Sequence, residues 1–204
     1  MPIIIDSFKQ HDPEWYQARL GNPGASNFGR ILTATGKVSE QRKAYMYELA
    51  GEFISGRNED SFISYRMQQG NELENESRMV CAMNHEIEIR QVALVYKDEK
   101  KLFHVSPDGL IGDDGCFETK DAKFSVQIER LMSGKMVTAH IPQCQGALFV
   151  TEREWILFQS YCSGLPELCI KIYRDEKYIS RLAEELDKFC YDLAKTIRKL
   201  KEMK

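Results

Sequence analysis

Apolar positions along this chain recur first at helical spacing, then at strand spacing, then at helical spacing again. Asp12-Pro13-Glu14 supplies a capping residue, a proline at the first helical position and an acid in the first turn, which predicts a short helix over about residues 13–20. Gly21-Asn22-Pro23-Gly24 breaks it, and a second helix is expected to start near Ser26. Met46, Leu49, Ala50, Phe53 and Ile54 fall on one stripe of a third helix that ends at Gly56-Arg57-Asn58. A fourth is predicted over residues 67–84, with Leu73, Val80 and Cys81 inward and Glu and Arg positions outward.

From Ile87 the period changes. Strands are predicted at residues 91–96 and 102–105 around a polar turn at 97–100, and Asp113-Asp114-Gly115 marks a hairpin before a strand at 116–120. Helices follow around 125–134 and 138–150, then strands at 155–158 and 168–173 joined by the turn Ser163-Gly164-Leu165-Pro166. Asp175 caps a long last helix with Tyr178, Leu182, Leu186, Phe189, Leu193, Ile197 and Leu200 along one face. This order predicts an α/β fold with a central mixed β-sheet flanked by helices. With no internal repeat and no low-complexity linker, residues 1–204 are read as a single domain.

Composition narrows the classes. Apolar residues at 43% and charged residues at 29% are those of an ordinary globular protein, which excludes collagen-like and bulk-disordered chains. No run approaches the roughly 18 apolar residues of a membrane span, and Met1-Pro2-Ile3-Ile4-Ile5-Asp6 is too short and lacks the basic flank of a signal peptide, so an intracellular protein without a membrane partner is expected. A net charge of -3 argues against a protein that coats nucleic acid, which needs a clear excess of Lys and Arg. Cys81, Cys116, Cys144, Cys162, Cys169 and Cys190 contain no C-x-x-C pair and mostly sit among apolar neighbours, so packing is expected of them and an iron–sulfur cluster is not. His11, His85, His104 and His140 show no ligand spacing and are expected to be structural or at the surface.

The hairpin carries the chemistry. Ser106-Pro107-Asp108-Gly109 lies on one arm and Glu118-Thr119-Lys120 on the next. Residues two apart on a strand face one side, so Glu118 and Lys120 project together and the hairpin can bring Asp108 beside them. Two carboxylates and an amine suit a hard divalent cation plus a positive group that orients or activates a water, the pattern of the PD-(D/E)xK nucleases. An Asp followed by E-x-K at a workable spacing arises by chance on the order of once per two chains of this size, so other residues must decide.

Those other residues extend the match along the chain. Trp15-Tyr16-Gln17-Ala18-Arg19-Leu20-Gly21 followed by Ala25-Ser26, then Gly70-Asn71-Glu72-Leu73-Glu74-Asn75-Glu76-Ser77-Arg78, the two hairpin arms, Gln143-Cys144-Gln145 and Arg174-Asp175-Glu176-Lys177-Tyr178 occur in one order. In that order they resemble the motifs of the lambda-type phage exonucleases, also called the YqaJ-like viral recombinase family. The resemblance implies a restriction-endonuclease-like core and 5′-to-3′ digestion of one strand of linear double-stranded DNA to 5′-mononucleotides, leaving 3′ overhangs for recombination by strand annealing. By position it implies that Asp108 and Glu118 are metal ligands, that the Thr119 carbonyl is a further ligand, and that Glu74 binds a second Mg²⁺, with Mn²⁺ as a substitute. Two such ions about 3.5–4 Å apart stabilise the attacking and leaving oxygens of an in-line displacement.

Lys120 would position or deprotonate the attacking water, and Gln143 would help hold that water or the scissile phosphate. Arg19, Ser26 and Ser106 are the implied 5′-phosphate readers, and Met67 is a candidate wedge between the strands. Asp121-Ala122 departs from the family's strand exit, and with Val126 where a further basic residue would stand, Lys123 is the candidate substitute. Trp15 is expected in the core. A homotrimeric ring around DNA, a single-strand annealing protein from the same phage system, and a bacterial cytoplasm reached by a phage or prophage gene are likewise implied by resemblance alone. An endonuclease on the same core, or a noncatalytic DNA-binding recombination module, are the alternatives. Either way, the basic residues are expected to gather on one face or channel.

Overall fold

A computed structural model of the chain describes residues 1–58 and 65–203, with side chains described for 1–58 and 73–203. Its elements run β1 (Ile3–Ile5), α1 (Pro13–Arg19), a 3-10 helix (Ala25–Arg30), α2 (Arg42–Ser55), α3 (Tyr65–His85), β2 (Leu94–Tyr96), β3 (His104–Val105), β4 (Gly109–Ile111) and β5 (Gly115–Asp121). They continue with α4 (Phe124–Ser133), a 3-10 turn (Thr138–His140), α5 (Ile141–Thr151), β6 (Trp155–Tyr161), β7 (Leu168–Tyr173) and α6 (Glu176–Glu202). Left-handed glycines close two helices as their sequence predicts: Gly56 (φ 69°) after α2 and Gly134 (φ 60°) after α4.

Among the described residues the strands form the expected central mixed sheet and a second, smaller sheet beside it. A four-stranded mixed sheet has the order β4-β5-β6-β7, with only the β5–β6 pair parallel, and β1-β2-β3 form a separate antiparallel sheet. The chain leaves one sheet and enters the other at Ser106-Pro107-Asp108, where Pro107 cannot donate to a ladder. The strand expected at 102–105 is β3, and β4 beyond Pro107 is a further strand of the other sheet. β1 is an addition: Ile3-Ile4-Ile5 pairs with β2, and three like residues carry no alternation by which to recognise it.

Alternation along β5 and β6 decides which layer covers each side of the mixed sheet. Cys116, Ile156 and Phe158 join the main core, where α5 and α6 pack, while Phe117 joins Cys81 of α3 with Ile111 on the opposite side. Sandwiched between the sheet, the 3-10 helix and α6, α5 is buried at Cys144, Gln145, Gly146, Ala147, Leu148, Val150 and Thr151, which is why it is apolar on all sides. α6 is amphipathic, and Tyr178, Leu182, Leu186, Phe189 and Leu193 are buried as predicted; Leu200, beyond the core, is exposed. Asp175 caps α6 by accepting the Tyr178 N–H at 3.0 Å. Phe53, expected inward on α2, is exposed.

His104 is fully buried on β3, with neither ring nitrogen hydrogen-bonded to a described residue. Burial, then the charge of Arg19, pushes its pKa down to about 3. Between about pH 3 and 6.5 the unfolded chain therefore binds one proton more than the folded one, so stability rises with pH across that window and is lost as pH falls. The full effect is roughly 4–5 kcal/mol. Urea melts of wild type and His104→Leu from pH 7 to pH 4 are expected to show a much shallower loss in the variant. A smaller slope should remain from His140, which burial, with Lys120 and Arg130, lowers to about 4. Parallel curves would remove this account of the acid lability.

Candidate active site

Two strands and two helices converge on one point. Glu118 and Lys120 share a face of β5, and the β4–β5 register (Gly109 opposite Phe117) puts Asp108, one residue before β4, level with Glu118. Asp108 Oδ2 accepts the Thr119 N–H at 2.7 Å. Glu118 is 1% exposed, and its Oε1 accepts from Lys120 Nζ at 2.5 Å and from Gln143 Nε2 on α5. Glu74 approaches from α3, where Arg78 Nη1 lies 3.3 Å from Glu74 Oε1 and donates to the Asp108 carbonyl at 3.0 Å. Arg78 thus pins helix to hairpin, a role unassigned from sequence although Glu74 and Arg78 stand at the i, i+4 spacing of a helical ion pair.

The electrostatics call for added positive charge. Burial, then the neighbouring Glu118 and Glu74 charges, hold the Asp108 carboxyl well above the usual carboxylate range. Burial also raises Glu74, with Arg78 opposing. Burial alone would lower Lys120, yet Glu118 and Asp108 outweigh it and keep the ammonium above its ordinary value. Lys120 and Arg78 face three carboxylates, and Glu118 Oε2 is buried without a hydrogen-bond partner among the described residues. An orphaned buried acceptor costs about 1–3 kcal/mol, more when charged. A hard divalent cation held by Asp108, Glu118, Glu74 and the Thr119 carbonyl would satisfy it, so these residues fit Mg²⁺ or Mn²⁺.

A cleft of about 1000 Å³ joins this cluster to α1: Arg19 and Trp15 line it together with Glu74, Asp108, Thr119 and Lys120. Trp15 is buried, as expected, and its Nε1–H donates to the Ala93 carbonyl (3.0 Å) and Ser106 Oγ (2.9 Å). The Arg19 guanidinium lies 3.8 Å from the centroid of the Trp15 ring and makes no salt bridge among the described residues, unlike an ordinary surface arginine. Ser106 therefore sits on the Trp15–Arg19 unit. Ser26, exposed in the 3-10 helix, does not line the cleft, although Gly24 and Asn27 beside it do. Lys123 is the exposed residue before α4 and is not among the lining residues. The Met67 side chain lies outside the described residues.

Sequence reading missed two basic residues on the cleft wall. Arg57 is one; Arg30 is the other, held by Glu48 through two 2.6 Å contacts and placed over the Tyr45 ring. Their walls are shared with Glu48, Glu52 and Asp121, so the cleft is mixed in charge and not the basic channel expected. Of the Gln143-Cys144-Gln145 block only Gln143 reaches the carboxylates. Gln145 is structural: its Nε2 donates to the Tyr173 carbonyl at 2.9 Å and its Oε1 accepts the Asp175 N–H at 2.9 Å. Arg174 likewise ties α5 to β7 by donating to the Leu148 carbonyl at 2.8 Å.

Comparison with known proteins agrees with this arrangement. The chain superposes on the crystal structure of an alkaline exonuclease (LHK-Exo) from Laribacter hongkongensis with a TM-score of 0.84 at 32% identity, covering 94% of this chain and 97% of that one. The complex of LHK-Exo with dAMP gives 0.82 at the same identity and coverage. A phage-related exonuclease from Haemophilus somnus 129PT shares the fold, with a TM-score of 0.65 at 15% identity over 90% of this chain and 96% of that one. No curated protein sequence matches. The mixed sheet with its flanking helices is the restriction-endonuclease-like core. Residues 14–154, from α1 through both hairpin arms to the end of α5, match the YqaJ-like viral recombinase domain, and the chain belongs to that family.

Proposed function

We propose that this protein is a divalent-metal-dependent exonuclease that digests one strand of linear double-stranded DNA from its 5′ end to mononucleotides, leaving 3′ overhangs for recombination by strand annealing. The observation that carries the reading is the shared cleft: Arg19, with no salt bridge among the described residues, lines one cavity with Glu74, Asp108 and Lys120, and the Glu118 oxygen left without a hydrogen-bond partner among the described residues belongs to the same cluster. The family match and the exonuclease neighbour support nuclease chemistry.

In this reading Asp108, Glu118, Glu74 and the Thr119 carbonyl hold the cations. Bound there, Mg²⁺ neutralises phosphate charge and stabilises the oxygens entering and leaving phosphorus. Lys120 remains an ammonium through Glu118 and Asp108, which suits it to position the attacking water and to offset charge on the phosphate rather than to take up a proton. Gln143 holds the Glu118 carboxylate in place through Nε2 and leaves its own carbonyl oxygen to accept from that water. Arg19, its plane fixed against Trp15, presents a fork to a terminal 5′-phosphate, and the Ser106 hydroxyl, already accepting from Trp15, keeps its proton for the same anion. Ser26 and Met67 are assigned to the phosphate and to strand separation by family position only.

Polarity and end requirement are tested together. Linear duplex bearing 5′-phosphates should be reduced to mononucleotides in Mg²⁺, while a covalently closed circle of the same sequence stays intact. Cutting of the circle at a comparable rate would replace this reading with an endonuclease. The same reading includes a homotrimeric ring and a single-strand annealing protein of the same phage system in the bacterial cytoplasm. One stripe of α4 supports association: Phe124, Ile128 and Met132 at i, i+4 and i+8 are exposed, an apolar face that a second copy would cover. Sedimentation of the purified protein checks it, with a monomer at micromolar concentration as the contrary result.

A further inference from the structure

We propose that Cys81, His85, Glu167 and Cys169 form a structural Zn²⁺ site, separate from the catalytic cluster, that clamps the end of α3 to the start of β7. Cys81 and His85 stand four apart near the end of α3 and so share a face; Glu167 and Cys169 stand two apart at the start of β7 and share a side of the sheet. The fold brings these pairs together, and one ligand atom from each residue lies within 4.8 Å of all the others. Cys81 Sγ and Cys169 Sγ are 4.0 Å apart and His85 Nε2 is 3.4 Å from Glu167 Oε1. Zn–S bonds of about 2.3 Å at tetrahedral angles put two sulfurs about 3.8 Å apart, so the thiols need to move only tenths of an ångström. A disulfide needs about 2.05 Å, half the observed separation.

The donor set selects the metal. Two thiols and an imidazole favour zinc over magnesium, opposite to the all-oxygen donors of Asp108, Glu118 and Glu74. Four protein ligands close the coordination sphere, which marks a structural rather than a catalytic ion. The surroundings are also built for it: Gln159 Nε2 donates to Glu167 Oε2 at 2.5 Å and Asn84 Nδ2 to Glu167 Oε1 at 2.8 Å, the outer contacts that orient a ligating carboxylate. Gln159 is fully buried, and its Oε1 accepts from the Thr119 hydroxyl at 2.8 Å while Nε2 also reaches the Ser77 carbonyl at 3.0 Å. The clamp therefore bears on two elements of the cleft, Thr119 on β5 and the helix that carries Glu74. On binding, two thiols become thiolates and two protons pass to solvent, so affinity should rise with pH.

The test is metal content and metal-dependent stability of the full chain. After dialysis against metal-free buffer, mass spectrometry should find one zinc per chain in wild type and in Asp108→Asn, and little in Cys169→Ser or in His85→Ala, whose exposed side chain leaves the fold undisturbed. Stripping zinc with a strong chelator should lower the wild-type melting temperature by about 5–10 °C, restored by Zn²⁺ but not by Mg²⁺. Co²⁺ in place of zinc should give a thiolate-to-metal charge-transfer band that Cys169→Ser abolishes. A folded wild type that takes up no Zn²⁺, or one whose peptide map shows a Cys81–Cys169 disulfide, overturns the proposal.

Discussion

Lys120→Ala is expected to leave a folded protein that hydrolyses linear duplex at least about 10³-fold more slowly in saturating Mg²⁺. The ammonium lies against Glu118 and Asp108, so its loss removes charge where the phosphate must sit and frees Glu118 Oε1 from a 2.5 Å contact. Lys120→Arg should recover little, because a planar fork does not replace a point charge at that site. Asp108→Asn should be as inactive for a different reason and with the opposite effect on stability. Its carboxyl is held well above the usual range by burial and by Glu118 and Glu74, so neutralising it relieves repulsion in the metal-free fold. The variant should melt higher than wild type without Mg²⁺ and gain nothing when Mg²⁺ is added, whereas wild type gains. A rate for Lys120→Ala within about tenfold of wild type, with circular dichroism unchanged, would sink the assigned chemistry.

Arg19→Gln should separate end recognition from hydrolysis. The guanidinium lies against Trp15 and makes no salt bridge among the described residues, which leaves its fork available to an anion. Charge-assisted bonds of about 1.5–3 kcal/mol each predict a loss near 10²-fold in kcat/KM on 5′-phosphorylated ends. On 5′-hydroxyl ends the change should stay within about threefold, and the variant should no longer distinguish the two. Equal losses on both would make Arg19 a structural residue for the cleft and leave the phosphate reader to be sought at Arg30 or Arg57.

Most of the helices were legible because each carries its own punctuation: Pro13 at a first turn, Gly56 and Gly134 at left-handed ends, Asp175 as a cap. The split of the sheets at Pro107 was not, since Gly109-Leu110-Ile111 is too short and carries no alternation by which to tell a new strand from the loop before it. Asp108, Glu118 and Lys120 could be placed together from strand period and hairpin alone, and Glu74 only from the ordered family blocks. Arg78, Arg30 and Gln159 escaped because their partners are Asp108, Glu48 and Glu167, contacts that no local spacing encodes. Cys81 and His85 make only half of the zinc cluster, and the other half, Glu167 and Cys169, arrives only when β7 closes the sheet.

The division into two sheets has a mechanical side. Asp108 belongs to neither ladder but to the short span between them, where Gln10 Nε2 donates to both the Val92 carbonyl (2.9 Å) and the Pro107 carbonyl (2.8 Å). Its carboxylate is fastened to Thr119 on one sheet and its backbone is reached from the other, so Asp108 sits at the joint between the two sheets. α1, which carries Arg19, rests on the smaller sheet through Trp15 and Ala93, so the arginine end and the carboxylate end of the cleft are tied together through this span.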